Sequence, residues 1–456
     1  MNKKFAVFLS ALFCCFIGGM ALVSLLLPKK AFSPMENRYL QKTPLFSLER
    51  VTSGAFMSDA ESYVSDHIAG RDLWVAMKAW SERLSGKQEN NGVYFGKNDT
   101  LINRVDQPDM DQLEQNLSYV DALTADLSVP VYFGLIPSSA AIWAERLPLG
   151  APTADEKGII HQLSYETGAQ SIDLYAALDA HKSEDIYYRT DHHWTSLGAY
   201  YGANALLEEM GLPALKLEDY ARTTVSDSFY GTTFSTSGVR WVRPDRIDTY
   251  VPEDGLTVTG YPNGTAQPGS LYVPEKLEEK DKYSFFLGGN QPLCVIENPD
   301  IQDGSKILLI RDSYSDSLAP FLAQAFSQVH LIDLRYYHAS VAEYMAEHSI
   351  KTAVVLYSAT NFISDRNLIY LGQAGTAVPE MSAQEAFGAF LAGDYEKLNF
   401  RSYDFFSTWQ YCNDGHLDST LLDVDGDGTE ELLVQYENSP GDLHAVFDYD
   451  SGWINC

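Results

Sequence analysis

Lys306-Ile307-Leu308-Leu309-Ile310-Arg311-Asp312-Ser313-Tyr314 is an apolar run that stops abruptly in a polar turn carrying a serine. A helical pattern follows to about Phe326. Beyond it come an apolar run at Val329 to Asp333, a helix from Ser340 to His348 and a third apolar run at Thr352 to Tyr357. Strands alternating with helices in this way imply right-handed βαβ units. The expected fold class is therefore α/β, a parallel sheet flanked by helices. In such sheets ligands collect beyond the carboxyl ends of the strands, and Ser313 stands at one of those ends.

Working outward, Val129 to Ile136 reads as another buried strand, and Met110 to Leu127 as an amphipathic helix before it. Gly92 to Gly96 and Thr100 to Ile102 read as a hairpin turning at Lys97-Asn98-Asp99. Val51 to Leu84 is expected to be largely helical. From 217 to 304 the pattern breaks into short β-like pieces with turns such as Tyr261-Pro262-Asn263-Gly264, an insertion within a domain spanning 31–375. From about Pro379 the composition changes again, which sets apart an acidic C-terminal module at 380–456.

The densest chemistry lies in Thr190-Asp191-His192-His193-Trp194-Thr195-Ser196. An Asp two residues from a His can fold onto the imidazole, fix its tautomer and stabilise its protonated form. Thr195 or Ser196 can cap the helix that follows. A nucleophile would complete the set, and Ser313 is the candidate. Its turn opens a helix whose free amides, including those of Ser313 and Tyr314, could face a developing oxyanion. The competing reading makes Asp312, Ser313, Ser315 or Asp316 a helix cap. For Asp191 and His193 the competing readings are a structural hydrogen bond or a metal site with His192 and His181. A strand would point His192 and His193 to opposite faces, and no HExxH-type spacing supports zinc. His192 stays unassigned.

With 456 residues and a formal charge of -30, the chain can bury a full core, and its acidity disfavours a nucleic-acid partner. Phe5 to Leu27 carries no charge and is long enough to span a bilayer, with Lys3-Lys4 before it and Lys29-Lys30 after it. The exit at Leu25-Leu26-Leu27-Pro28 lacks a small-x-small cleavage pattern, so residues 1–30 are expected to be an uncleaved membrane anchor rather than a signal peptide. The expected location is the extracytoplasmic side of the cell membrane, or secretion if the segment is cleaved. Of five cysteines, Cys412 and Cys456 fall in one acidic module, where pairing and free thiols weigh equally.

In the C-terminal module, Asp423-Val424-Asp425-Gly426-Asp427-Gly428-Thr429-Glu430-Glu431 places acids at loop positions one, three, five and nine. Asp423, Asp425, Asp427 and Glu431 are the oxygen ligands that a calcium loop would need. Val434 at position twelve departs from the EF-hand pattern and leaves a loop resembling those of FG-GAP-type repeats. An acidic Asp-Gly turn without metal is the alternative.

The Asp-His-His-Trp signature at Asp191 to Trp194, with Glu36-Asn37-Arg38, Gly92 to Phe95 and Ile310 to Tyr314, resembles the DHHW protein family. That family is similar to the alginate O-acetyltransferases of the SGNH hydrolase-like superfamily, and the resemblance covers roughly residues 30 to 375. It implies an SGNH-like (flavodoxin-like) sheet and a triad of Ser313 as nucleophile, His193 as base and Asp191 as orienter, the acid and base preceding the serine in the chain. Tyr314, Arg335 and Tyr336 fall where the alginate enzymes place polar, substrate-facing groups, although Arg335 could equally pair with Asp333. Asn361 could donate an amide to an oxyanion or cap a loop. Arg311 departs from the family pattern by standing where a GDSL esterase has glycine.

The function so implied is extracytoplasmic O-acyl, chiefly O-acetyl, transfer to a polysaccharide. The acyl donor would be delivered by a membrane-bound acyltransferase partner, and no cofactor is expected for catalysis. Hydrolysis by the same triad, or a noncatalytic binding or assembly role, are the alternatives.

Overall fold

A computed structural model describes residues 3–262, 264–371, 382–392, 399–400, 417–422, 431–436, 444–450 and 453–455. Its centre is a sheet of β1 (Val131–Ile136), β2 (Gln170–Ser171), β3 (Thr257–Gly260), β4 (Gln267–Pro268), β5 (Leu293–Glu297), β6 (Lys306–Arg311), β7 (Gln328–Ile332) and β8 (Ala353–Ser358), in the order β4-β3-β5-β7-β6-β8-β1-β2. The five strands from β7 to β2 run parallel, with Ile307 opposite Val329, Ile310 opposite Val355 and Leu356 opposite Gly134. The α/β expectation is met, and β1, β6, β7 and β8 fall within two residues of their predicted starts, while β2 was not anticipated.

The inner parallel strands β1, β6 and β8 are mostly apolar because both faces are covered. Ile307 and Leu309 of β6 join Ile136, Trp194, Leu318 and Val354 in one core. Leu308 and Ile310 join Phe133, Leu135, Val355 and Phe362 in the other. Alternate residues thus serve opposite layers, as the two-residue period of a strand requires.

The 217–304 stretch is not set apart from this sheet. Its strand β5 pairs antiparallel with β7, Val295 opposite His330, and β3 and β4 extend the same edge. Another part forms an irregular ribbon, Thr223–Phe229 against Asp245–Thr249, beside the segment that carries Asp191.

The helices that bear on function are α1 (Lys3–Leu26), α2 (Ala55–His67), α3 (Arg71–Leu84), α4 (Met110–Asp126), α5 (Ser196–Glu209), α6 (Ser315–Leu322), α7 (Val341–Glu347) and α8 (Ala359–Ser364). Within α1, Val7–Leu26 is long and apolar enough to cross a membrane and is unburied, which is compatible with an anchor. Glu36 and Arg38 tie the segment after it to the helices: Arg38 Nη1 donates to Asp66 Oδ2 at 2.9 Å, and Arg71 Nη2 to Glu36 Oε2 at 2.8 Å. The hairpin turns as predicted, Val93–Gly96 against Thr100–Asn103.

Near the C-terminus, strands Leu417–Leu422, Glu431–Tyr436, His444–Asp450 and Trp453–Asn455 with Asn399–Phe400 form a further sheet. Glu431 is buried at the start of its strand. Asp423, Asp425 and Asp427, and with them the calcium-loop expectation, lie outside the described residues, as do Cys412 and Cys456.

Candidate active site

Strand β6 ends at Arg311, the chain turns through Asp312, Ser313 and Tyr314, and α6 starts at Ser315. The turn puts Ser313 Oγ 2.8 Å from His193 Nε2, across 120 residues of sequence. His193 Nδ1 lies 2.6 Å from Asp191 Oδ1, an oxygen that also accepts the His193 amide at 3.0 Å. A carboxylate only accepts, so Nδ1 carries the proton and Nε2 is left to accept from the serine hydroxyl. Ser313 does not cap α6 with its side chain. Asp312 Oδ1 takes the Tyr314 amide instead, at 3.1 Å.

Residues 189–193 form a bend rather than a strand, closed by the bridge between Tyr187 and Trp194. His192 and His193 therefore do not point apart, and their ring centroids are 3.8 Å from each other. Asp245 fixes the start of the bend by accepting from the Thr190 amide at 2.8 Å and hydroxyl at 2.6 Å. Trp194 fixes its end by donating to the Tyr314 carbonyl at 2.9 Å, which couples the base segment directly to the serine turn. Thr195 caps α5 as anticipated, accepting from Gly198 N.

The far oxygen of Asp191 accepts from the Thr232 amide at 2.7 Å and hydroxyl at 3.0 Å. His192 Nδ1 is 2.7 Å from the same hydroxyl, so His192, Thr232 and Asp191 form a second hydrogen-bonded chain beside the first. The approach needs glycine at 231: a Cβ there would come within 2.1 Å of Asp191 Oδ2.

Tyr283 is a further component that the sequence reading did not find. Its ring stacks on His193 at 3.7 Å and 9°, and its hydroxyl donates to the Ser313 carbonyl at 3.1 Å. Among 28 tyrosines nothing in the local pattern distinguishes it.

Burial works against charge throughout this site. It would raise the pKa of Asp191, but the charges and hydrogen bonds of His192 and His193 outweigh it and hold the carboxyl well below the usual range. Burial, then the neighbouring His192 charge, lower the His193 pKa despite Asp191. For His192, burial pulls down but Asp191 wins, and the net shift is upward. The pair is divided into a neutral imidazole at Ser313 and a more basic one behind it.

The other candidates take supporting positions. Tyr314 is buried, and its hydroxyl donates to the His192 carbonyl. Arg335 pairs with Asp333, Nη2 to Oδ2 at 2.6 Å, with its guanidinium 5.4 Å from the half-buried Tyr336 ring. Asn361 Nδ2 donates to Asp312 Oδ2 at 2.8 Å, an oxygen that also takes the Ser358 amide. Since the Tyr314 amide is bound by Asp312, it is not free to face an oxyanion. Arg311 lies wholly buried beneath the turn, 3.0 Å from Asp316 Oδ1 though without hydrogen-bond alignment. Burial, against Arg311, pushes Asp316 up to about 7.

Asp191, His192 and His193 offer donor atoms within 4.8 Å of one another. Both nitrogens of His193 and both oxygens of Asp191 are already committed, so a metal would have to displace Ser313 or Thr232. His181 is paired elsewhere, with Glu184 at 2.7 Å. A cavity of about 830 Å³ flanks the same segment but is walled by Tyr188, Arg189, Arg222, Asp245 and Asp248, not by Ser313 or His193.

A mostly parallel sheet with helices on both faces thus brings an Asp-x-His element to a serine at a strand's carboxyl end. The model of the DHHW protein family matches residues 154–332, a stretch that contains Asp191, His193 and Ser313, in keeping with the resemblance read from the sequence. A DHHW family protein from Eubacterium siraeum is similar over 63% of this chain and 96% of its own, at 25% identity and TM-score 0.56. PatB1 of Bacillus cereus, solved with a sulfonyl adduct, is similar over 61% of this chain and 99% of its own, at 22% identity and TM-score 0.52. The O-acetyltransferase domain of AlgJ from Pseudomonas putida is more distant, at 15% identity and TM-score 0.39 over 62% of this chain and 99% of its own. No curated protein matches the chain.

Proposed function

We propose that the protein is an extracytoplasmic serine acyltransferase that moves an acyl group, chiefly acetyl, onto a hydroxyl of a polysaccharide. The observation that carries this reading is the continuous chain from Asp191 through His193 to Ser313, with contacts of 2.6 and 2.8 Å. His193 Nε2 takes the Ser313 proton as Oγ attacks the donor carbonyl. The bond to the leaving alcohol breaks, that alcohol takes the proton from His193, and the acyl group stays on Ser313 as an ester. An acceptor hydroxyl then gives its proton to His193 and attacks the ester, and Ser313 recovers its hydrogen. Water in the acceptor's place would release the free acid, so the balance between transfer and hydrolysis rests on how well the acceptor excludes it.

The acyl donor would come from a membrane-bound acyltransferase partner, as the resemblance implies. Two measurements test the proposal. A sulfonyl fluoride should label Ser313 of the full chain and leave the Ser313→Ala variant unlabelled; labelling of both defeats the nucleophile assignment. With an activated acetyl ester and an oligosaccharide panel, acetylated sugar is the expected product. Free acetate alone would sink the transferase reading and leave hydrolysis.

A further inference from the structure

Two helices that follow α1 carry apolar residues that the fold does not bury. On α3, Leu73, Met77 and Leu84 fall at i, i+4 and i+11, a single stripe on a helix, with 50% to 82% of each residue exposed, while Trp80 between them rests its ring on Trp241 at 4.3 Å. The face turned to the rest of the protein is a different one: Ala79 is fully buried, and Val75 Cγ1 approaches the Gly238 backbone. Arg71, Lys78 and Glu82 occupy the remaining arc. On α2, Met57 and Val64, two turns apart, are also exposed, as is Ile68 just past its end. Contiguous exposed apolar surface of this kind marks an interaction site rather than ordinary surface.

Position and charge say what covers it. The Ala69 amide, between α2 and α3, donates to Ser24 Oγ in α1 at 2.9 Å, and the Trp74 ring meets Phe16 of α1 edge-on at 6.5 Å. The turn before α3 and its first residues therefore lie against α1, and the stripe starts beside that apolar helix. On the same side of α1 as these helices, residues 28–89 hold nine Lys and Arg against eight Asp and Glu, whereas the whole chain holds 32 against 62. This region is spared the acidity that would drive the chain as a whole from an anionic surface.

We propose that α2 and α3 lie in the interface of a lipid bilayer, with Leu73, Met77 and Leu84 turned into it. The occupant of the stripe is lipid, and a helix with one apolar face and one charged face is the form that lies in such an interface. The inference rests on the reading of α1 as a membrane span. It adds that the catalytic portion is held against the membrane by a second contact rather than swinging on its tether.

A photoreactive benzophenone amino acid, placed singly at Phe13, Met77 or Tyr165 of the full chain, distinguishes the cases. Tyr165 is 86% exposed on a helix remote in sequence from the stripe and serves as the solvent control. In phosphatidylcholine–phosphatidylglycerol vesicles, the expected result is lipid adducts at positions 13 and 77 and none at 165. Adding Leu73→Glu and Leu84→Glu should abolish the adduct at 77 and spare the one at 13. An adduct at 13 with none at 77, or a cross-link from 77 to a second copy or another protein, overturns the proposal while leaving the span intact. No lipid adduct at 13 overturns the span reading and the proposal with it.

Discussion

His193 is gripped on every side that matters to a base: Asp191 on Nδ1, Ser313 on Nε2, the Tyr283 ring on one neighbour and His192 on another. Replacing Asp191 with Asn should lower turnover by about 10⁴, the cost of losing the tautomer that points a lone pair at the serine. The pH profile should reflect the downward shift of His193. Activity of the deprotonated base should rise through an apparent pKa below the ordinary histidine value. His192→Gln removes a positive charge that opposes protonation of His193, so the rise should move to higher pH; an unmoved profile would show that His192 does not act on the base. Gly231→Ala should displace the Asp191 carboxylate and cost about a hundredfold in turnover with little change in KM, measurable on any activated ester. Asp191, His193 and Ser313 could be picked out in the sequence because each sits in a local pattern, a polar cluster or a strand's end. Gly231, Thr232 and Tyr283 could not, since what they touch lies dozens of residues away and is chosen by the path of the chain.

The β6–turn–α6 unit explains why the serine stands where it does. Asp312 binds the Tyr314 amide with one oxygen and Ser358 and Asn361 with the other, so the ends of β6 and β8 are pinned together under Ser313. Arg311 supports this unit from within. Arg311→Leu would leave Asp316 without its counter-charge and should destabilise the fold by about 3 kcal/mol at alkaline pH. Asp316 already has a raised pKa when folded, and the variant raises it further. The stability this group contributes is then full at low pH, where it is protonated, and is lost as pH climbs through the folded value. Denaturant midpoints at acid and alkaline pH check this, and the variant's deficit should be the smaller in acid. The strands and helices of this unit were visible as apolar runs between turn residues. The bend at 189–193 was not, because its bridge and its Asp245 anchor are long-range contacts with no periodic trace.

Across the molecule, the sheet is a composite: five parallel strands with three antiparallel ones added from the 217–304 stretch. The short β-like pieces were legible there, but their recruitment into the central sheet was not, since pairing partners are not encoded in local alternation. Deleting 252–300 should strip β3 to β5 and bare the edge of β7, which carries Val329, Leu331 and Ile332. Size-exclusion chromatography should then report aggregates in place of a single species. The separation of base from nucleophile has a consequence in time as well as in space. Synthesis delivers Asp191 and His193 first and Ser313 some 120 residues later, and β6 must still find its place between β7 and β8. A nascent or half-folded chain thus holds only one part of a reactive couple. On the proposed mechanism, chemistry switches on only in the last stages of folding, when the two parts meet.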